Sequence, residues 1–94
     1  MNARDLTLNI AVNLGRLSRY ALDGKKQRVE QFIKDTDYYV NQLETAPKSE
    51  KFLPTFKIFT NKFKQLKNNV KLDEIWAEDA LTWANILTHR AKLA

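Results

Sequence analysis

The residues best suited to chemistry in this 94-residue chain are lysines crowded into one short segment. Seven lysines and one acid, Glu50, fall between residues 47 and 72, so this segment carries +6 while the whole chain carries +5. No acid lies between Lys51 and Leu72, so we expect the lysine side chains of this segment to lie in water, away from carboxylates. Solvated faces usually mix both signs and unpaired like charges repel one another, so this run favours contact with an anionic polymer over a plain solvated face.

Helical spacing aligns part of this charge along one ridge. The ridge, at intervals of four, three and four, comprises Lys57, Asn61, Lys64 and Asn68, and it continues through Lys67 and Lys71. Lys62 lies on the same helix. At a rise of 1.5 Å per residue, Lys57 and Lys64 stand about 10 Å apart, which suits neighbouring phosphates of a single strand. Lysine supplies charge and asparagine supplies an amide, so we expect contact with the phosphate backbone of RNA or single-stranded DNA.

Reading of individual bases is not expected from this helix. It lacks the arginines that commonly bind guanine edges, and neither a zinc-finger spacing nor an aromatic RNA-recognition signature is present. The tyrosines have the chemistry to stack on unpaired bases, but positions in the core or at its rim explain them more simply. The sequence therefore predicts binding that is independent of nucleotide sequence.

A second basic cluster begins on the first helix. It comprises Arg16, Arg19, Lys25, Lys26 and Arg28. Arg16 and Arg19 are further candidates for nucleic-acid binding. Asp23 and Glu30 lie close by in the chain, so a solvated face of mixed sign is a stronger alternative here than for the lysine segment.

Four carboxylates crowd the first turns of the last helix and raise the question of a metal site or acid–base catalysis. They are Asp73, Glu74, Glu78 and Asp79. Acids at a helix N-terminus complement the helix dipole, which is the simpler interpretation, and docking against a basic neighbour is another. Cysteine is absent, His89 is the only histidine, and no glycine-rich phosphate loop exists. We therefore expect no catalytic residue, no metal and no cofactor.

Four amphipathic helices are predicted to position these side chains. Apolar residues recur every three or four positions over residues 3–22, 25–44, 54–68 and 74–92, which is the period of one helical face. The connections are short and favour antiparallel neighbours, and four apolar stripes can be buried only against one another. The prediction is an all-α, compact antiparallel four-helix bundle that forms a single domain over residues 1–94.

Local signals support these boundaries. Gly24 suits the left-handed position that ends the first helix, and Pro47 ends the second because the residue before proline avoids helical geometry. Pro54 fits the first turn of the third helix, and Asp73 caps the fourth. Gly15, in the middle of the first helix, marks either a close approach by a neighbouring helix or a tolerated exposed glycine.

Three large apolar residues, Tyr38, Tyr39 and Ile58, lie off the main stripes. They mark either a second buried surface, and hence a partner, or scattered surface positions. No apolar run approaches the roughly 20 residues that a membrane-spanning helix needs, and the acid-containing N-terminus is unlike an export signal. With cysteine absent as well, we expect a cytoplasmic protein.

In size, charge and helical architecture, the chain resembles the small subunit of class 1 CRISPR effector (Cascade-like) complexes, a family of short, basic, all-helical proteins without catalytic residues. The resemblance implies a subunit of a ribonucleoprotein that acts in antiviral defence. It further implies that several copies stack along the guide RNA, where their basic faces steady the RNA–DNA duplex or the displaced DNA strand. The residues carried over are Arg16, Arg19, Lys57, Lys64, Lys67 and Lys71.

Two alternatives stay open. The chain is also similar to the basic four-helix accessory protein of diversity-generating reverse transcriptases, which binds RNA and forms a ring, although it is shorter. The other alternative is a protein-binding adaptor or oligomeric scaffold with no role in nucleic-acid binding. Its motivation is charge segregation, because residues 47–72 carry +6 and residues 73–94, with two basic and four acidic side chains, carry −2. Opposite charges of this kind favour head-to-tail stacking of copies.

Overall fold

The chain folds into four α-helices followed by a short 3₁₀ turn, and the computed structural model describes all 94 residues. The helices are α1 (Ala3–Leu22), α2 (Lys26–Thr45), α3 (Leu53–Asn68) and α4 (Glu74–Arg90), and the 3₁₀ turn covers Ala91–Leu93. The predicted all-α bundle is confirmed. None of these helices has a stretch long and apolar enough to cross a bilayer.

α1 has the predicted bounds, and the boundaries of the other three helices differ from the predicted ones by one or two residues. α2 is shifted by one residue toward the C-terminus, and α3 begins one residue earlier, which places Pro54 within its first turn. The larger difference is at α4, which ends at Arg90 instead of residue 92. The following residues tighten into the 3₁₀ turn, which is frequent at helix C-termini.

Side chains cap two of the helices at their N-termini. Asn2 accepts a hydrogen bond from the backbone N–H of Asp5 at 2.8 Å, and Asp73 accepts one from the backbone N–H of Trp76 at 2.8 Å. Each bond satisfies a backbone donor that has no partner inside its helix. The carboxylate of Asp73 is thus used by the fold.

Gly24 ends α1 in a left-handed conformation, with φ of 68°. The backbone N–H of Lys25 donates to the carbonyl of Tyr20, and that of Gly24 donates to the carbonyl of Ala21. This pair of bonds is the Schellman arrangement, which satisfies the last carbonyls and reverses the chain. The tight reversal sets α2 directly against α1.

Contacts between successive helices show that these helices run antiparallel. Asp37 in α2 contacts Lys67 near the end of α3, whereas Lys48, just after α2, contacts Phe56 near the start of α3. The same reversal holds for the pairs Arg16–Phe32 and Tyr20–Arg28 between α1 and α2, and Phe59–Trp83 and Lys62–Asp79 between α3 and α4.

The core combines close and wide helix packing. α1 packs directly against α2 and α4, and small buried residues such as Ala11, Ala80 and Ala84 allow this close approach. α3 is held at a greater backbone distance, because large rings fill the space between it and the other helices. The buried rings are Phe52, Phe56, Phe59 and Phe63. A wider separation leaves room for grooves along both sides of α3.

Two hydrogen bonds fasten the connections of the bundle. The indole N–H of Trp76 donates to the carbonyl of Leu66 at 3.1 Å, which joins the start of α4 to the end of α3. The hydroxyl of Ser49 donates to the carbonyl of Leu93 and so ties the α2–α3 connection to the 3₁₀ turn.

The residues that lie off the apolar stripes have different environments. Tyr38 and Ile58 are 65% and 60% exposed, whereas Tyr39 packs against the core. A methyl group placed on Gly15 would meet no atom within 4 Å, so no helix of this chain approaches it closely. Of the two interpretations of Gly15, the structure therefore supports a tolerated glycine and not a close approach by another helix of this chain.

Candidate nucleic-acid interface

The basic residues singled out from the sequence are divided among four grooves. Lys57, Lys64 and Lys67 line a groove between α2 and α3, whereas Lys62 and Lys71 line a groove between α3 and α4. Arg16 lies in a groove between α1 and α2, and Arg19 lies in one between α1 and α4. Asn61 is exposed and lines none of these grooves. The predicted site residues therefore do not form one surface: three lysines share the α2–α3 groove, and the remaining basic residues line the other three grooves.

The α2–α3 groove has the densest positive charge of the candidate site. Lys57 and Lys64 are two helical turns apart on α3, and Thr60 lies between them. Asn41 of α2 supplies an amide on the opposite wall. Ammonium, hydroxyl and amide groups are the side chains that commonly bind phosphate oxygens and sugars. Asp37 and Glu44 also line the groove, so its three lysines exceed its acids by one charge, and this positive excess is suitable for a phosphate backbone.

Lys67 does not stand free in that groove. Its Nζ lies 3.0 Å from the Oδ1 of Asp37 on α2, and both side chains are about one-third exposed. It also lies 5.8 Å from the centre of the Phe63 ring. The expectation that the lysines of this segment lie away from carboxylates is wrong at Lys67.

Lys62 is the second exception. Its Nζ lies 3.3 Å from the Oδ2 of Asp79 on α4, at the edge of the α3–α4 groove. The reason is the same for both lysines: residues 51–72 are free of acids along the chain, but α2 and α4 bring acids to either side of α3. Ion pairs this exposed contribute about 0–1 kcal/mol, so a phosphate group can compete for these lysines.

Lys48 serves the fold. Its Nζ donates to the carbonyls of Leu43, Glu44 and Ala46 at 2.6, 2.8 and 2.9 Å, which satisfies the C-terminal carbonyls of α2. The ammonium also lies 4.8 Å from the centre of the Phe56 ring. The ammonium of Lys48 therefore binds the C-terminal end of α2, although this lysine is one of the seven that give residues 47–72 their charge of +6.

Four lysines of the segment remain without any intramolecular hydrogen-bond or ion-pair partner, because Lys48 donates to carbonyls and Lys62 and Lys67 pair with carboxylates. They are Lys51, Lys57, Lys64 and Lys71. All four are exposed, and none donates a hydrogen bond through its side chain. We call them the unpaired lysines. They extend from the turn before α3 to the turn after it, so their charge follows the length of this helix.

The arginines of α1 have a different environment. The guanidinium of Arg16 lies 5.6 Å from the centre of the Phe32 ring, and that of Arg28 lies 5.9 Å from the centre of the Tyr20 ring. The two rings are themselves 5.5 Å apart. We call these four residues the arginine–aromatic stack. Neither arginine makes an ion pair, so the aromatic rings hold the guanidinium groups without neutralising them.

Arg19 is separated from this stack. It lines the α1–α4 groove beside Leu22 and Leu81, both of which are substantially exposed. Arg19 therefore lines a different groove from Arg16, although the two residues are three positions apart on α1.

Sequence reasoning gave too little weight to Arg28 and none to its stack with Tyr20 and Phe32. A signal was present, because Arg16 precedes Tyr20 by four residues and Arg28 precedes Phe32 by four, the spacing of contacts along one helix face. In the antiparallel packing of α1 and α2, each arginine instead contacts the ring on the other helix: Arg16 contacts Phe32, and Arg28 contacts Tyr20. Comparisons of this chain with protein-family models, curated proteins and solved structures find no match.

Proposed function

We propose that this protein is a non-catalytic subunit of a cytoplasmic ribonucleoprotein assembly that binds the phosphate backbone of a nucleic acid without sequence specificity. The observation that supports it best is the set of unpaired lysines, Lys51, Lys57, Lys64 and Lys71, exposed along α3 with no carboxylate partner. Two of them share the α2–α3 groove with Thr60. Ammonium groups presented in this way release counterions from a polyanion on binding, which provides affinity that does not depend on base identity.

Lys67 adds a conditional contact to this surface. Its partner Asp37 is only partly buried, so exchanging that carboxylate for a phosphate costs little. In the bound state all three lysines of the α2–α3 groove, including Lys67, are then available to phosphate groups. Backbone binding by lysine also fits the absence of arginine from α3, because arginine is the usual reader of guanine edges.

The resemblance in size, charge and architecture to the small subunits of class 1 CRISPR effector complexes gives this proposal a physical setting. A subunit of that kind steadies a guide RNA–target DNA duplex or a displaced strand by contacts to the backbone alone. Its partners are then the nucleic acid and neighbouring protein subunits or further copies of itself. The unpaired lysines supply charge of the kind required for that role.

A protein-binding adaptor is the second candidate function, and one observation favours it. Leu22 and Leu81 are 58% and 46% exposed, and they meet with Gly15 in the α1–α4 groove. Exposed aliphatic side chains that share a groove are suited to contact another protein. This face is distinct from the α2–α3 groove, so the two functions are separable by experiment.

The test is a salt titration of binding to a polyuridylate strand by filter binding. Each phosphate neutralised on a single strand contributes about −0.7 to the slope of log K against log salt, so four lysines give a slope near −3. Replacement of Lys57, Lys64 and Lys71 by alanine should make this slope shallower by about 2. The helical circular dichroism should not change, because all three side chains are exposed.

The matched control removes the same charge elsewhere. Arg4, Arg90 and Lys92 are also exposed, make no ion pair and line none of the grooves described above. Their replacement by alanine should change the slope by well under 1. An equal loss in both triple variants would assign binding to net charge and reject the α3 surface. The absence of binding to any single strand or duplex at low salt would reject the function and favour the adaptor.

A further inference from the structure

The groove between α1 and α2 contains a buried polar side chain that the fold leaves without a partner. Asn13 is only 6% exposed, and its side-chain amide makes no hydrogen bond within the protein. No fully enclosed side-chain nitrogen or oxygen in the molecule lacks a partner, so this amide must open into the groove. A buried amide at the floor of a groove presents two donors and an acceptor to whatever binds there.

Flat aromatic surface and charge surround this amide. Tyr38 and Tyr39 line the groove with ring centres 5.9 Å apart, and Tyr39 is anchored against the core while Tyr38 is exposed. Arg16, held on the ring of Phe32, lies along the same groove. Asp35 supplies a carboxylate that makes no ion pair.

We propose that this groove binds an unpaired nucleobase of a single-stranded nucleic acid. The inference rests on the proposed function: the α3 lysines bind the backbone of the strand, and the α1–α2 groove binds a base of the same strand. The base stacks on the exposed ring of Tyr38, and the amide of Asn13 bonds to its edge. Asp35 accepts from an exocyclic amine or a ring N–H, and the guanidinium of Arg16 contacts the adjacent phosphate.

The chemistry of the groove favours a base over a bare phosphate. Arg16 is offset by Asp35, so this groove has no net charge to attract phosphate, whereas the α2–α3 groove has a net charge of +1. The carboxylate of Asp35 attracts the donors of a base edge. A stacked ring accepts any base because every base has a flat face, so this contact agrees with binding that is independent of sequence. The α3 lysines hold the backbone, and this groove distinguishes an unpaired strand from a duplex whose bases are covered.

The experiment compares two strands of equal length, one with bases and one composed of abasic sugar–phosphate units. Tyr38→Ala should lower the affinity for the strand with bases about fivefold or more, since a stacked base contributes about 1–3 kcal/mol. It should leave the affinity for the abasic strand unchanged. Tyr38→Phe, which keeps the ring, should retain most of the affinity for both strands. Because Tyr38 is exposed, none of these variants disturbs the core.

A second variant tests the amide. Asn13→Leu preserves side-chain volume in this buried position and should weaken binding of the strand with bases about two- to tenfold, the cost of one or two lost hydrogen bonds. Unchanged binding of the strand with bases by both Tyr38→Ala and Asn13→Leu would overturn this inference. If the lysine triple variant still lost its salt dependence, the proposed function would survive that result. Equal losses on both strands would show that the groove contacts only the backbone, which also overturns it.

Discussion

Lys67 on α3 forms an ion pair with Asp37 on α2, with its Nζ 3.0 Å from the Oδ1. The two residues are 30 positions apart in the chain, and they meet only because α2 and α3 pack side by side. The pair places a carboxylate inside the groove that has the highest density of lysine. The charge of this groove is therefore partly masked in the free protein.

Removal of this carboxylate should strengthen nucleic-acid binding. Asp37→Asn frees Lys67 and removes a repulsive charge from the groove, so we expect the affinity for a single strand to rise about two- to fivefold. The stability of the fold should change by no more than about 1 kcal/mol, because both side chains of the pair keep about one-third of their surface in water. Glu30→Gln makes the same change of net charge on an exposed acid that has no ion pair. An equal gain from Glu30→Gln would show that only net charge matters.

Lys48 and Lys51 should behave differently although they are three residues apart. Lys48→Met removes three hydrogen bonds from the end of α2 and should lower the free energy of unfolding by about 1–3 kcal/mol. It should leave the salt dependence of strand binding unchanged. Lys51→Met should do the reverse, with a shallower salt slope and little change in stability. Urea denaturation and salt titration of both variants separate the two roles, and a shallower slope for Lys48→Met would contradict this assignment.

Gly15→Ala should stabilise the protein. Alanine is better than glycine in a helix interior by about 0.8–1 kcal/mol, and the added methyl group meets no atom of the chain. The gain is measured as an increase in the urea midpoint with an unchanged slope of the transition. A lower midpoint, or a change of oligomeric state, would instead indicate that a second chain packs against Gly15 in solution.

Phe59 should be among the most costly positions to truncate. It is fully buried between the rings of Phe63 and Trp83, so Phe59→Ala should lower stability by about 3–5 kcal/mol. The neighbouring Ile58 is 60% exposed, and Ile58→Ala should change stability by less than about 0.5 kcal/mol. Thermal unfolding of the two variants checks the predicted register of α3. A large loss at Ile58 would place it in an interface.

The period of the apolar residues was sufficient to predict the four helices, because only one face of each helix can be buried. The phenylalanine stripe of α3 illustrates this, since Phe52, Phe56, Phe59 and Phe63 are all in the core. The caps were also predictable, because the conformations that Gly24 and Asp73 favour depend on local backbone geometry alone. The end of α4 was not, because its last residues tighten into a 3₁₀ turn in which Leu93 is held by Ser49.

The candidate site was predictable only in part. Lys57 and Lys64 each follow a phenylalanine of the stripe by one residue, which turns them about 100° away from the core, so the sequence indicates their exposure directly. The partners of Lys62 and Lys67 lie on other helices, and a count of charges along the chain cannot find them. The unpartnered amide of Asn13 was equally inaccessible, because its burial depends on how closely α1 and α2 approach.

The hydrogen bond between the indole of Trp76 and the carbonyl of Leu66 has a practical consequence. This indole is buried at the α3–α4 turn and borders the same groove as Lys71 and Lys62. A strand that engages Lys71 therefore alters the electric field around a natural fluorophore. In a Trp83→Phe variant, which leaves Trp76 as the single indole, shifts in emission would report occupancy in solution without any label.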